Sequence, residues 1–128
     1  MTVAFWCVLI VILLPLVCTS IAKFSGGKFG ARQNHNPRDF LDNLEGLPRR
    51  AHAAQQNSFE AIPGFAAGVL IAHVAGVAQL VTIDVLAVLF VTSRLLYIIF
   101  YLADLAALRS LAWFIGLALV VALFGVSV

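Results

Sequence analysis

The chain has 128 residues, of which 62% are hydrophobic and 11% charged, and its formal net charge is +2. A soluble domain is about 45–50% apolar and about 25% charged, so most of this chain has no reason to face water. These proportions exclude a soluble enzyme, a disordered tail and a nucleic-acid binder, and they predict an integral membrane protein.

Val3 to Ala22 is an uninterrupted apolar run of 20 residues, long enough to cross a bilayer as a helix. Pro15 lies inside it, and a membrane helix tolerates a proline with a local kink. A secretory signal carries positive charge ahead of its apolar run; here Lys23 and Lys28 follow it instead. A lipid anchor on Cys18 would need a small residue just before it, where Leu16 and Val17 stand. Cys7 and Cys18 would be roughly 16 Å apart on a straight helix, too far for a disulfide, and they read as small buried apolar residues.

Residues 23–48 form the first loop, rich in Gly, Asn and Pro, which are turn residues. Lys23, Lys28, Arg32, Arg38, Arg49 and Arg50, six of the eight basic residues, lie in or beside it. Phe40, Leu41 and Leu44 suit a short interfacial turn. The second helix is predicted over about 49–77, polar in its first half and apolar from Ala61, with a bend at Pro63. A tight turn at Gly76 to Gln79 leads to a third helix over about 80–102, with Arg94 well inside. Asp104 to Leu108 connects to a fourth helix over about 109–127. The basic residues concentrate in loop one and at Arg109 beside loop three. The positive-inside rule therefore predicts loops one and three in the cytoplasm and both termini outside.

Charged side chains inside a bilayer each cost a few kcal/mol, so each needs a reason. On the second helix Arg50, Asn57, Glu60 and Gly64 fall on one stripe; on the third, Phe90, Arg94, Tyr97, Tyr101 and Asp104 do the same. Arg109 and Ser110 open the fourth helix at the same level. These residues are expected to converge on the cytoplasmic half of the bundle, with Glu60 facing Arg94. A buried ion pair that only joins helices would explain Glu60 and Arg94. It would not explain three arginines facing one buried glutamate, a surplus that points to an anionic ligand. His73, His35 and His52 lack partners at metal-ligand spacing, so no metal site is predicted. Thr82 and Asp84 read as solvated, and Trp6 and Trp113 as interfacial or packing residues.

The run Asn36-Pro37-Arg38-Asp39, then Leu44-Glu45-Gly46, then Arg50 to Phe65 (RAHAAQQNSFEAIPGF) resembles the MAPEG proteins, the membrane-associated proteins in eicosanoid and glutathione metabolism. Arg94, Tyr97 and Tyr101, followed by Leu108-Arg109-Ser110-Leu111-Ala112-Trp113, resemble the second half of the same pattern. The similarity covers essentially the whole chain and looks closest to short bacterial members. It implies an all-α four-helix bundle in the bacterial inner membrane, assembled as a homotrimer, with glutathione held between subunits near the cytoplasmic face. By the same resemblance Arg50, Asn57, Glu60, Arg94, Tyr97 and Tyr101 would bind glutathione, and Arg109 and Ser110 would activate its thiol. Ala53 departs from the pattern, because eukaryotic members carry an arginine there that helps hold glutathione; Tyr97 stands where some members have histidine.

The function these readings imply is a glutathione- or other thiol-dependent transferase or peroxidase, acting on lipophilic small molecules that enter from membrane lipid. A non-catalytic reading fits the same arginines. It is a trimer that binds an anionic lipid or metabolite, or a structural subunit of a larger membrane complex. Four helices leave little room for the alternating access of a transporter.

Overall fold

The computed structural model describes residues 1–128. The chain is all-helical, with α1 at Val3–Phe24, α2 at Pro37–Asp42, α3 at Gly46–Ala75, α4 at Leu80–Leu102 and α5 at Ala106–Gly125. α1, α3, α4 and α5 are each long and apolar enough to cross a membrane. Their outer faces are apolar: Leu9, Ile12, Leu13, Leu16 and Val17 on α1, for example, are all exposed. Such a surface suits lipid and would aggregate in water.

α1 packs chiefly on α3, and α4 on α5, with α1 and α3 both touching α4. The inward face of α1 reads Ala4, Cys7, Val11, Leu14, Cys18 and Ala22, a spacing of three and four that keeps one stripe turned to its neighbours. α3 answers with Ala51, Ala54, Ser58, Phe65, Gly68, Val69 and Ala72. Most of these are small, so the backbones approach closely, as membrane helices favour. Phe65 and Phe90 stack at the centre, with ring centroids 4.1 Å apart. Both cysteines are free and buried in this packing.

α1 and α3 run continuously through Pro15 and Pro63. Proline removes one helical donor, but the rest of each ladder and the neighbouring helices hold the segment straight enough to remain one element. α3 ends at Gly76, whose φ of 65° and N–H to the Ala72 carbonyl close the last turn; only glycine takes that left-handed conformation without strain. The α3–α4 connection is accordingly short, and the two helices are antiparallel neighbours.

The first loop is folded. Gln33–His35 form a 3-10 turn, and Asn36 caps α2 through Oδ1 to the Asp39 N–H at 3.4 Å, with Pro37 at the first helical position. Leu41 is buried with Ala22 and Ala51, which pins α2 against the ends of α1 and α3. Phe29 sits edge-on between Phe24 and Phe40, and Lys23 lies over its ring.

α5 touches α3 much less than it touches α4. Between α3 and α5 an open groove remains, floored by α4. The polar side chains of the bundle meet there.

Candidate functional site

The groove begins with Asn57, Glu60 and Gly64 on α3, which are spaced to share one face. Arg94 rises from α4 beneath them and is only 3% exposed. Its Nη2 donates to Asn57 Oδ1 at 2.7 Å, and its guanidinium stacks over the Tyr97 ring at 4.2 Å. Its Nε has no hydrogen-bond partner. The expected contact between Glu60 and Arg94 does not form. Asn57 stands between them, taking Arg94 on its oxygen and donating through Nδ2 to Glu60 Oε2 at 3.4 Å. The only side-chain contact at ion-pair distance in the chain is His52 Nε2 with Asp42 Oδ1, 3.7 Å apart between α3 and α2. Arg94 is therefore a buried cation with no carboxylate on it, an arrangement that costs several kcal/mol unless something completes it.

Asn57, Glu60, Ala61, Gly64, Phe90, Arg94, Trp113, Gly116, Leu117 and Val120 line a cavity of about 200 Å3. A second cavity of about 260 Å3 is lined by Asn57, Tyr97, Tyr101, Arg109, Ser110, Trp113 and Phe114. Asn57 and Trp113 belong to both, so the two form one groove with a polar and an apolar end. α5 begins at Ala106, and the Arg109 N–H already bonds the Leu105 carbonyl at 2.9 Å. Arg109 and Ser110 thus project from a formed helical turn. The Arg109 guanidinium lies over the Tyr101 ring at 4.4 Å, and Tyr101 meets Tyr97 edge-on at 5.7 Å. Two arginines, each laid on a tyrosine, flank the groove with one glutamate.

The structure brings together Asn57, Glu60, Arg94, Tyr97, Tyr101, Arg109 and Ser110. It leaves Arg50 out, which corrects the expected convergence: the residue starts on the shared stripe of the second helix, but its side chain turns away from the groove. The Arg50 Nε and Nη2 both donate to the Leu102 carbonyl, at 3.3 and 3.2 Å. A helix C-terminus presents unpaired carbonyls that attract a cation, and the α4 end lies within reach of Arg50. Asp104 also leaves its stripe, because α4 stops at Leu102 and Asp104 turns with φ at 60°. Trp113, expected as an interfacial or packing residue, lines both halves of the groove. Its spacing of four from Arg109 and three from Ser110 could have placed it on their face.

A third cavity, about 740 Å3, opens under the first loop. It is larger, but Lys28 and Arg32 share it with Asp39 and Glu45, so its walls single out no anion.

The MAPEG family profile matches residues 3–128. The chain belongs to the MAPEG family. Its four membrane-crossing helices, with a long folded loop after the first, are the bundle of a MAPEG protein. No curated protein and no solved structure matches the chain significantly. Family membership establishes a MAPEG-like integral membrane protein, and the family is broadly associated with glutathione.

Proposed function

We propose that this MAPEG protein is a glutathione- or thiol-dependent transferase or peroxidase for lipophilic electrophiles, working in the groove between α3, α4 and α5. The observation that carries the reading is Arg94, a buried cation whose Nε faces no partner and which shares its groove with a second arginine and one glutamate. Glutathione bears two carboxylates, one ammonium and a thiol; Arg94 complements one carboxylate, Glu60 the ammonium, and Arg109 the developing thiolate. Its fit rests on those charges and on the unpaired Nε; Ala53, where a further arginine would stand, leaves one charge-assisted contact fewer.

Glutathione supplies the nucleophilic sulfur. A thiol with a pKa near 8.5 is mostly protonated at neutral pH, and adjacent positive charge lowers that value. Arg109 provides the charge and Ser110 a hydroxyl donor, so the pair favours the reactive anion at sulfur. Glu60, held by Asn57, receives the ammonium, and Arg94 receives a carboxylate.

Glu60 is exposed midway along α3, where contact with lipid is costly. Covering that face with neighbouring copies would remove the cost, which favours the homotrimer reading. The basic loops favour their placement in the cytoplasm, with the termini outside and the protein in a bacterial inner membrane.

Isothermal titration of glutathione into purified protein tests the reading. Millimolar or tighter binding, weakened by Glu60→Gln, is expected. An absence of heat at about 10 mM glutathione would overturn it.

A further inference from the structure

The cavity under the first loop, about 740 Å3, takes no part in the groove. Lys28 and Arg32 line it together with Asp39 and Glu45, yet none of these four charges pairs with another. The one contact at ion-pair distance joins His52 to Asp42. The signs are also sorted along the chain. Both cations come from the stretch after α1, and the carboxylates from α2 and the residue just before α3.

Local backbone structure keeps them apart. Gly27, with φ at 67°, turns the chain just before Lys28. The Gly30 N–H donates to Gln33 Oε1 at 3.0 Å, which fixes the turn that carries Arg32. Asp39 is held in the first turn of α2, and its carbonyl accepts from Asn43 Nδ2 at 2.8 Å. Glu45 is extended and makes no capping bond to α3. The side-chain amides of Gln33, Asn36 and Asn43 are engaged with backbone, so the charges are what this cavity offers a ligand. Ala22 and Gly26 place it where α1 ends its apolar run. Phe40 in its wall meets Phe29, which meets Phe24. Phe24 is largely exposed and extends the outward stripe of Leu13 and Val17 on α1.

We propose that this cavity binds a zwitterion with a phosphodiester and a primary ammonium, the headgroup chemistry of an aminophospholipid. Lys28 and Arg32 take the phosphodiester, as basic pockets among membrane helices do. Asp39 and Glu45 take the ammonium, whose three N–H donors two carboxylates can share. A purely anionic headgroup would be repelled by both carboxylates, and a quaternary ammonium would give them no hydrogen. The acyl chains follow Phe24, Val17 and Leu13 along the lipid face of α1. The inference is independent of the thiol chemistry proposed for the groove.

Native mass spectrometry of the intact chain in an uncharged detergent tests this with dihexanoyl phosphatidylethanolamine, phosphatidylglycerol and phosphatidylcholine. The ethanolamine lipid should bind about tenfold more tightly than the other two, the scale of one charge-assisted hydrogen bond. Asp39→Asn combined with Glu45→Gln should erase that preference and leave the glycerol lipid bound as before or better. Lys28→Gln combined with Arg32→Gln should weaken the ethanolamine and glycerol lipids together, again about tenfold. All four side chains are exposed, so none of these substitutions removes core packing. Soluble glycerophosphoethanolamine identifies the source of the zwitterion: displacement of the lipid at equal concentration assigns the site to a free compound, and no displacement assigns it to lipid. Equal binding of the three lipids by wild type would overturn the proposal. So would an ethanolamine preference that survives the paired Asp39 and Glu45 substitutions. Displacement of the lipid by glutathione would overturn it as well, because the anion recognised would then be a carboxylate.

Discussion

The two ends of the bundle handle polar side chains in opposite ways. At the end holding the N-terminus, the half-buried polar side chains have found partners. His73 Nδ1 donates to the Val69 carbonyl at 2.8 Å, which leaves Nε2 to accept from the Thr2 hydroxyl at 2.9 Å. Asp84 accepts the Ala4 N–H at 2.8 Å, and Phe5 stacks on the imidazole. At the groove end, Arg94 keeps an unpaired Nε, and Arg109 rests on a tyrosine ring with no carboxylate beside it. A finished network stabilises a fold, because satisfied buried groups no longer need water. An unfinished one, retained in a bilayer where it is costly, is what the proposed binding role would account for.

Substitutions at the two ends should therefore separate binding from stability. Arg94→Met carries the largest expected effect. Glutathione affinity should fall about 10- to 100-fold, the scale of one hydrogen bond to a charged group. The thermal unfolding midpoint should hold or rise, since replacing an uncompensated buried charge by an apolar side chain is often stabilising. A midpoint several degrees lower with binding intact would make Arg94 a structural residue like His73 and erase the contrast. Arg109→Ala should slow conjugation of an aromatic electrophile about tenfold and move the rising limb of its pH–rate profile upward by about one unit. The sign follows from charge: without the arginine, the anionic form of the bound thiol is less favoured and needs higher pH. A profile that does not move would remove Arg109 from thiol activation.

Asp84→Ala tests the other end. It frees the Ala4 N–H at the start of α1 and should lower unfolding free energy by about 1–2 kcal/mol, read by detergent-induced unfolding, with glutathione titrations unchanged. The smallest effect belongs to Arg50→Ala, which removes the clasp on the Leu102 carbonyl. About 1 kcal/mol of stability should be lost, and ligand affinity should shift by less than twofold. A tenfold loss of affinity would return Arg50 to the groove.

Much of the site was legible in the sequence because helical spacing is a strict geometric rule. Asn57, Glu60 and Gly64 share a face, as do Arg94, Tyr97 and Tyr101, and the shortness of the α3–α4 turn makes the helices that carry them neighbours. What spacing could not reveal was where a long side chain reaches. Arg50 starts on the predicted face and bends to a helix end, and a carbonyl three-dimensionally near but 52 positions away in sequence captures it. The insertion of Asn57 between Glu60 and Arg94 was hidden for the same reason: stripes say which residues face one another, not which atom arrives first. Asp84 read as solvated because its partner is the backbone of another helix, and a backbone N–H leaves no signature in side-chain chemistry.

The Gly76-to-Gln79 hairpin has the character of a measuring device. Glu60 and Arg94 each stand about four helical turns from it, one descending toward the turn and the other rising from it, so they arrive at the same depth. One residue inserted into α4 between the hairpin and Arg94 would carry the guanidinium about 1.5 Å along the helix and about 100° around it, off the Asn57 carboxamide. The number of helical residues between the hairpin and each side chain therefore calibrates the contact, and that count matters to the groove as much as the side chains that line it.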